Sequence, residues 1–250
     1  MAAGVARGLI IYGPASYKVT ARSTQSLDMQ MEGHDLTAEA KSLQDQFRHV
    51  YWLGGGSGAG KTTITRRIAA EHGLRTYLTD DVMPDHAQRS SPRDCPLLHI
   101  FMAMDMDQRW VSRSPEAMLE TFHWFRGEGF NMIVEDVLNF PKESGVVVDG
   151  FRLLPHLVKP LLADPGHAVW LIPTPEFRQI VFESRGGTKS GFIAKTGDPE
   201  RALRNLLERD AMFTERLKDE AQRLELNTIE VNPSMSEDDL AARVVRAFGL

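Results

Sequence analysis

A glycine-rich stretch around position 58 carries the residues with the clearest chemical meaning. It follows the pattern G-x-x-x-x-G-K-[ST], and its residues in order are Gly55, Gly56, Ser57, Gly58, Ala59, Gly60, Lys61 and Thr62, with Thr63 directly after them. Glycines allow backbone N–H groups to converge on phosphate oxygens, a lysine ammonium can reach the terminal phosphates, and a threonine hydroxyl can ligate Mg²⁺. The stretch therefore predicts a phosphate-binding loop, or P-loop, for a nucleotide and its Mg²⁺.

The residues on either side of this loop form the elements that must position it. Residues 49–53, His-Val-Tyr-Trp-Leu, are a short β-branched and aromatic run that is typical of a buried strand. Over residues 61–72, Ile64, Ile68 and Ala69 recur at helical spacing. A strand that leads through glycines into a helix brings the positive end of the helix dipole to the phosphates.

Acidic residues close two further predicted strands. Residues 75–79 form a strand that ends in Asp80 and Asp81, and residues 146–148 form another that ends in Asp149. A carboxylate after the first of these strands could accept the proton of a substrate hydroxyl, and we favour Asp81 over Asp80 for this role. Asp149 would hold Mg²⁺ together with Thr62. Asp80 and Asp81 could instead both cap the next helix, and Asp149 could be only a turn residue.

A second candidate for the metal carboxylate lies in residues 132–136, Met-Ile-Val-Glu-Asp, which could be a strand that ends in Glu135 or Asp136. The apolar residues around it recur at helical spacing, however: Phe130, Ile133, Val134, Val137 and Leu138. We therefore expect a helix here, and we prefer Asp149 as the metal carboxylate.

A basic, glycine-rich stretch at residues 183–198 has the composition of a closing lid. Its glycines could act as hinges, and Arg185 and Lys189 could reach a transferring phosphoryl group. An ordinary exposed loop would have the same composition. Three arginines of the helix that follows are further candidates, although most helix arginines are solvated: Arg201, Arg204 and Arg209.

Strands and helices alternate along the rest of the chain. Further strands are predicted at residues 167–172 and 228–231, and helices begin at the capping residues Ser114, Asp198 and Ser236. This order predicts an α/β fold, a five-stranded parallel sheet with helices on both faces. Ligands bind at the carboxyl ends of such strands, where the P-loop and the three aspartates fall.

The chain divides into two parts in this interpretation. Residues 1–45 form an N-terminal extension with no clear period, and residues 46–250 form one domain. Within that domain, residues 80–144 are a mostly helical insert that could bind the acceptor, and residues 183–198 are the lid. The methionines and aromatic residues of 97–126 could line an acceptor pocket or belong to the core.

The composition limits the classes of function. A formal net charge of -5 gives no overall basic field for nucleic acid. The single cysteine, Cys95, excludes an internal disulfide framework and fits a reducing compartment. No apolar run approaches the ~20 residues of a membrane helix. We expect a cytoplasmic protein whose partner is a small molecule, and the sequence does not indicate its oligomeric state.

Together, these features resemble the P-loop kinases of the nucleoside-monophosphate-kinase-like fold. This group includes shikimate, gluconate and nucleoside kinases, polynucleotide 5′-kinases and antibiotic phosphotransferases such as the chloramphenicol enzyme. The resemblance covers most of residues 49–248. It implies a P-loop NTPase fold in which Lys61 and Thr62 bind the phosphates and Mg²⁺ of ATP, and in which Asp81 or Asp80 is the base or a substrate anchor.

We therefore expect an ATP-dependent phosphotransferase that moves the γ-phosphate of Mg-ATP to a hydroxyl of a small molecule. One alternative is a nucleotide kinase with a phosphate acceptor, which would need several arginines of the insert, such as Arg89, Arg93, Arg109, Arg113 and Arg126. Another is a regulatory module that binds a nucleotide without catalysis. The acidic pair at 80–81 favours the hydroxyl acceptor, because only a hydroxyl requires a general base.

Overall fold

The computed structural model describes residues 41–189 and 191–250. Most of the N-terminal extension predicted for residues 1–45 lies outside the described residues, as does residue 190 of the predicted lid. Residues 41–46 are helical and lead into the first strand.

Five strands form one sheet in which every pairing is parallel. They are β1 (Val50–Gly55), β2 (Arg75–Leu78), β3 (Val146–Asp149), β4 (Ala168–Pro173) and β5 (Asn227–Val231), in the spatial order β2-β3-β1-β4-β5. Leu53 and Leu78 both pair with Asp149, so β1, β2 and β3 end at nearly the same level. The predicted α/β fold with a five-stranded parallel sheet is confirmed, and each strand lies within two residues of its predicted bounds.

The helices between and after these strands follow the predicted order. They are α1 (Lys61–His72), α2 (Met83–Arg89), α3 (Pro96–Ala103), α4 (Met106–Trp110), α5 (Pro115–Thr121), α6 (Phe130–Leu138), α7 (Pro155–Val158), α8 (Pro175–Ser184), α9 (Pro199–Arg223) and α10 (Glu237–Phe248). Among the described helices, none combines the length and the apolar composition that a membrane span needs.

The predicted helix starts at Ser114, Asp198 and Ser236 are also correct. Each of these side chains accepts a hydrogen bond from a backbone N–H of the first turn of α5, α9 or α10. Such a bond satisfies one of the N–H groups that a helix start leaves without an intrahelical partner.

Helices cover both faces of the sheet. Neighbouring residues of a strand point to opposite faces, and Trp52 and Leu53 of β1 accordingly belong to two separate cores. Trp52 packs in one core with Trp170 and with apolar residues of α6 and α9. Leu53 packs in the other with Val169 and with apolar residues of α1 and α10. These two layers fix the carboxyl edge of the sheet, from which the candidate site is built.

The segment 130–138 is the helix α6, as its apolar spacing predicted. Glu135 and Asp136 therefore lie on a helix and do not end a strand beside β1. Asp149 is the carboxylate at that position, because β3 pairs directly with β1.

Candidate phosphoryl-transfer site

The P-loop connects the end of β1 to the first turn of α1. Gly60 precedes α1 with a φ of 81°, in the left-handed region that favours glycine. The buried Lys61 turns back toward the loop, where its Nζ donates to the carbonyl oxygens of Gly55 at 3.2 Å and Gly56 at 2.9 Å. The ammonium is thus held at the mouth of a loop of backbone N–H groups, where phosphate oxygens can bind.

The other predicted residues of the loop have different environments. Ala59 is fully buried and packs in the core that α1 and α10 share. Ser57 and Thr62 are half-buried, and Thr63 is exposed on the first turn of α1. Thr62 is therefore the hydroxyl residue of this turn that faces the sheet edge.

Thr62 and Asp149 lie side by side, as the sequence predicted for a metal site. The Thr62 hydroxyl donates to Oδ2 of Asp149 at 2.7 Å. Burial raises the pKa of Asp149, whereas the Lys61 charge and the Thr62 hydrogen bond lower it. A hydroxyl and a carboxylate are oxygen ligands that suit Mg²⁺, which takes few protein ligands and completes its shell with phosphate oxygens and water. The described residues contain no cluster of three His, Cys, Asp or Glu side chains that could hold a metal ion.

Asp80 is the acid of the predicted pair that interacts electrostatically with the lysine of the P-loop. It is among the charges that act on Lys61, together with Asp149, Arg185 and Asp210. Although part of Asp80 is exposed, desolvation of its carboxyl group raises its pKa, and the Lys61 and Arg152 charges oppose this shift. A carboxyl group with a raised pKa is better matched to accept a proton near neutral pH.

Asp81, which the sequence analysis preferred, continues the turn after β2. Its backbone N–H donates to the carbonyl oxygen of Leu78 at 3.1 Å, and it is exposed, as Asp80 is. The interactions of Asp80 with Lys61 and Arg152, and not a difference in exposure, favour Asp80 over Asp81 as the base.

A buried arginine that the sequence analysis did not single out lies next to this acidic turn. Arg152 follows Asp149 by three residues and is 2% exposed. Its guanidinium donates to the carbonyl oxygens of Thr79 at 3.4 Å and Gly129 at 3.2 Å, and stacks 3.9 Å from the Trp124 ring centroid. Burial lowers its pKa to about 10, so it stays charged at neutral pH.

The turn that carries Arg152 requires a glycine at position 150. A Cβ atom there would lie 1.7 Å from Oγ1 of Thr79, at the end of β2. This close approach of the two strand ends places Arg152 within hydrogen-bond distance of Thr79, the residue before Asp80.

A histidine and an aspartate form a hydrogen-bonded chain that orients Arg152. Nη2 of Arg152 donates to Nδ1 of the fully buried His86 at 2.9 Å, and Nε2 of His86 lies 2.8 Å from Asp136. Asp136 also accepts from the Tyr77 hydroxyl at 2.6 Å and from Arg89 at 2.9 Å. A neutral imidazole with its proton on Nε2 satisfies both contacts, and burial lowers the pKa of His86 in agreement.

The predicted lid begins at the end of α8, which packs beside the P-loop. A Cβ atom at Gly58 would lie within 3.8 Å of both Val181 and Arg178 of this helix. Arg185, just after α8, is among the charges that lower the pKa of Lys61. The structure therefore brings the predicted lid arginine toward the P-loop lysine, whereas Lys189 lies in an exposed turn.

Two further buried arginines share one carboxylate on α9. Arg178 contacts Oδ2 of Asp210, and Nε of Arg209 donates to Oδ1 of the same residue at 2.7 Å. All three residues are at most 5% exposed. The Arg209 guanidinium also lies over three aromatic rings, those of Trp110, Phe122 and Phe125. Arg209 is thus part of the interior, whereas Arg201 and Arg204 of the same helix are exposed.

Most arginines of the insert bind groups of the protein itself. Arg89 pairs with Asp85 and Asp136, Arg126 pairs with Glu120, and Arg109 and Arg113 donate to backbone carbonyl oxygens. These arginines are therefore less available to bind the phosphate group of an acceptor than their number in the insert indicates.

His123 packs in the aromatic interior of the insert and makes stability depend on pH. Burial lowers its pKa to about 3, and the charges of Arg152, Arg209 and Arg109 act in the same direction. Because the unfolded chain binds a proton near pH 6.5 and the folded chain does not, this residue stabilises the fold less as pH falls. Between pH 7 and pH 5 we expect its contribution to fall by about 2 kcal/mol.

This pH dependence can be measured by urea unfolding of wild type and His123→Phe at pH 7, 6 and 5. We expect the difference in unfolding free energy between the two proteins to change by about 2 kcal/mol across this range in favour of the variant at low pH. His72→Asn, at an exposed position of α1, is the matched control. Parallel curves for wild type and His123→Phe would contradict the expectation.

Comparisons with known proteins do not assign the chain to a family. No family model matches it, and no curated protein matches it at a significant level. The functional interpretation therefore depends on the geometry described above.

Proposed function

We propose that this protein is an ATP-dependent phosphotransferase with a P-loop NTPase fold, which moves the γ-phosphate of Mg-ATP to a hydroxyl of a small molecule. One observation carries the proposal: Lys61 of the P-loop, the Thr62–Asp149 pair and Asp80 meet at the carboxyl edge of one parallel sheet. This set of groups comprises a phosphate site, ligands for a metal and a base, which together are the parts that phosphoryl transfer requires.

The phosphate side of the proposed reaction uses the P-loop. Its backbone N–H groups and the start of α1 would bind the β- and γ-phosphates, and Lys61 would exchange the carbonyls of Gly55 and Gly56 for phosphate oxygens. Thr62 and Asp149 would hold Mg²⁺, which neutralises negative charge on the β- and γ-phosphates. Arg185 would add positive charge from the lid side.

The acceptor side uses Asp80. Its carboxylate would take the proton of the acceptor hydroxyl while the hydroxyl oxygen forms a bond to the γ-phosphorus. The bond from that phosphorus to the β–γ bridging oxygen breaks, and ADP leaves with the electron pair. Arg152 is a positioning residue here, because it binds the backbone at Thr79 and acts electrostatically on Asp80.

Two features support this proposal over the two alternative functions, and a third fits a cytoplasmic location. The insert arginines that a phosphate acceptor would need are mostly bound to carboxylates and carbonyls, which disfavours the nucleotide kinase. A regulatory module would not need Asp80 beside Lys61. The one cysteine, Cys95, is buried and unpaired, as expected in a reducing cytoplasm.

The test is transfer of labelled γ-phosphate from Mg-ATP to a pooled set of hydroxylated metabolites, nucleosides and antibiotics. We expect a labelled small-molecule product with the wild type and none with Lys61→Ala, because the lysine binds the transferring phosphate. Replacement of the exposed Lys142 by Ala is the matched control and should leave product formation unchanged. A product that persists in Lys61→Ala would contradict the proposal, and ATP binding without any product would favour the regulatory module.

A further inference from the structure

Several buried side chains in the described part of the chain have polar atoms without a hydrogen-bond partner. Those around Arg152 and Arg209 include Nε of Arg152, Nη1 of Arg209, Nδ1 of His123 and Nε of Arg178. These four residues are 2%, 5%, 2% and 3% exposed. Buried polar atoms are nearly always hydrogen-bonded, so a group of such atoms in one region indicates a missing partner.

The carboxylates of this region do not balance its arginines. Arg178 and Arg209 share the single carboxylate of Asp210. Arg152 donates its hydrogen bonds to neutral groups, namely the carbonyls of Thr79 and Gly129 and the imidazole of His86. Positive charge is therefore buried here in excess of the negative charge that contacts it, an arrangement that an anionic ligand would stabilise.

Aromatic rings compensate only part of this charge. Trp124 lies under Arg152, and Trp110, Phe122 and Phe125 surround Arg209. A ring attracts a guanidinium through its face, but the N–H bonds lie in the guanidinium plane and still need acceptor atoms. A phosphate or a carboxylate provides such acceptors in the geometry that arginine prefers.

The two arginines belong to one continuous region. Phe122 packs against His123 at a centroid distance of 4.6 Å and against Phe151 at 6.4 Å, and Arg209 lies 4.6 Å from the Phe122 centroid. Phe151 directly precedes Arg152. The charges of Arg152 and Arg209 both act on His123 and help to keep it neutral. Phe122 is half-buried and contacts the Arg209 guanidinium, His123 and Phe151, so it belongs to the same region as both arginines.

This region lies on the acceptor side of the base. Arg152 donates to the carbonyl oxygen of Thr79, the residue directly before Asp80, and the charges of Lys61 and Arg152 both act on Asp80. The phosphates of the nucleotide already have Lys61 and the P-loop as partners. The excess charge at Arg152 and Arg209 is thus available to a second anion.

We propose that the acceptor is an anionic hydroxyl compound, whose phosphate or carboxylate group binds between Arg152 and Arg209 beside His123 while its hydroxyl faces Asp80. This inference rests on the proposed function, because it defines the acceptor of that phosphotransferase. It also narrows the search for the substrate to compounds that carry both a hydroxyl and a negative charge.

The test with the wild-type protein compares matched pairs of compounds with labelled Mg-ATP. Each pair is a sugar or polyol phosphate with its dephosphorylated form, or a hydroxy acid with its amide. We expect kcat/KM to be at least roughly thirtyfold higher for the anionic member, which is the loss typical of one charge-assisted contact. Equal or faster transfer to neutral members would overturn the inference and leave the proposed function intact. Absence of Lys61-dependent transfer to every compound would overturn both.

A variant test separates anion binding from a structural role. Arg152→Gln should raise KM for the anionic acceptor by about tenfold or more relative to KM for its neutral partner. Because Arg152 also acts on Asp80, kcat should fall to a similar extent for both members of the pair. Arg243→Gln, at an exposed position of α10, is the matched control. If Arg152→Gln does not fold, Arg209→Lys keeps the charge but loses the planar fork, and should show the same selective rise. Equal rises in KM for the anionic and neutral members in the folded variant would overturn the inference.

Discussion

Asp80→Asn is expected to slow phosphoryl transfer to the hydroxyl acceptor by roughly a thousandfold, within the 10²–10⁴ range of a lost general base. The amide keeps the size of the side chain but cannot take the hydroxyl proton. ATP binding should change only a fewfold, because the P-loop groups that bind the phosphates remain. Steady-state transfer and ATP affinity, measured in parallel, separate these two effects.

The neighbouring acid provides the matched control. Asp81→Asn should change transfer by less than about threefold, because in the proposed reaction Asp80 takes the proton of the hydroxyl. In the wild type, kcat/KM should fall as pH falls through the raised pKa of Asp80, because the protonated carboxyl cannot act as a base. Asp80→Asn should lose this acidic limb. A large loss in Asp81→Asn with little in Asp80→Asn would show that the sequence preference for Asp81 was right.

Asp210→Asn is expected to lower the unfolding free energy by about 3–5 kcal/mol, the cost of removing one partner from a buried ion pair. Within residues 41–189 and 191–250, Asp210 is the carboxylate that contacts both Arg178 and Arg209, and all three side chains are buried. An asparagine can accept a hydrogen bond but leaves both guanidinium charges without a counter-charge. Urea unfolding of the wild type and the variant at one pH measures the loss.

Two controls show whether charge causes this loss. Asp219→Asn, at an exposed position of the same helix, should change the unfolding free energy by less than about 0.5 kcal/mol. A triple variant with Met at 178 and 209 and Leu at 210 removes the charges together, and should recover most of the lost stability. A loss in Asp210→Asn below about 1 kcal/mol would mean that solvent or other groups compensate the two arginines.

The sheet and the phosphate side of the site could be predicted from local sequence patterns. Buried parallel strands are unbroken apolar runs, and residues 146–148 form such a run between two polar turns. Helical spacing separated α6 from a strand and so removed Glu135 and Asp136 as metal carboxylates. The P-loop residues are contiguous, so one motif identified Lys61, Thr62 and their neighbours together.

The arginines of the acceptor side could not be predicted in this way, because their burial depends on residues far apart in the chain. Arg152 binds His86 and stacks on Trp124, and Arg209 enters a ring of aromatic residues from the insert. An isolated arginine has no periodic signal, and most are exposed. The local hint was the sequence Asp-Gly-Phe-Arg at 149–152, in which a turn after β3 places an arginine three residues after Asp149.

The choice between Asp80 and Asp81 shows the same limit on a smaller scale. The sequence identifies an acidic turn after β2, but the direction of each side chain depends on how the turn lies against Lys61 and Arg152. Motif reasoning finds the edge of the sheet at which chemistry can occur. Tertiary contacts decide which of two adjacent carboxylates reaches it.

The order of the strands also has a consequence for how the chain acquires its fold. Even the pairing that is closest in sequence, Val169 with Asn227, spans roughly sixty residues, and β1 and β2 both pair with β3. On the ribosome, no strand pair of the sheet can therefore form until Val146 has emerged, when more than half of the chain has been made. Such non-local topologies fold slowly and expose apolar strands while they wait for their partners. Synthesis of this protein should accordingly depend on chaperone capacity and growth temperature more than that of a helical bundle of equal length.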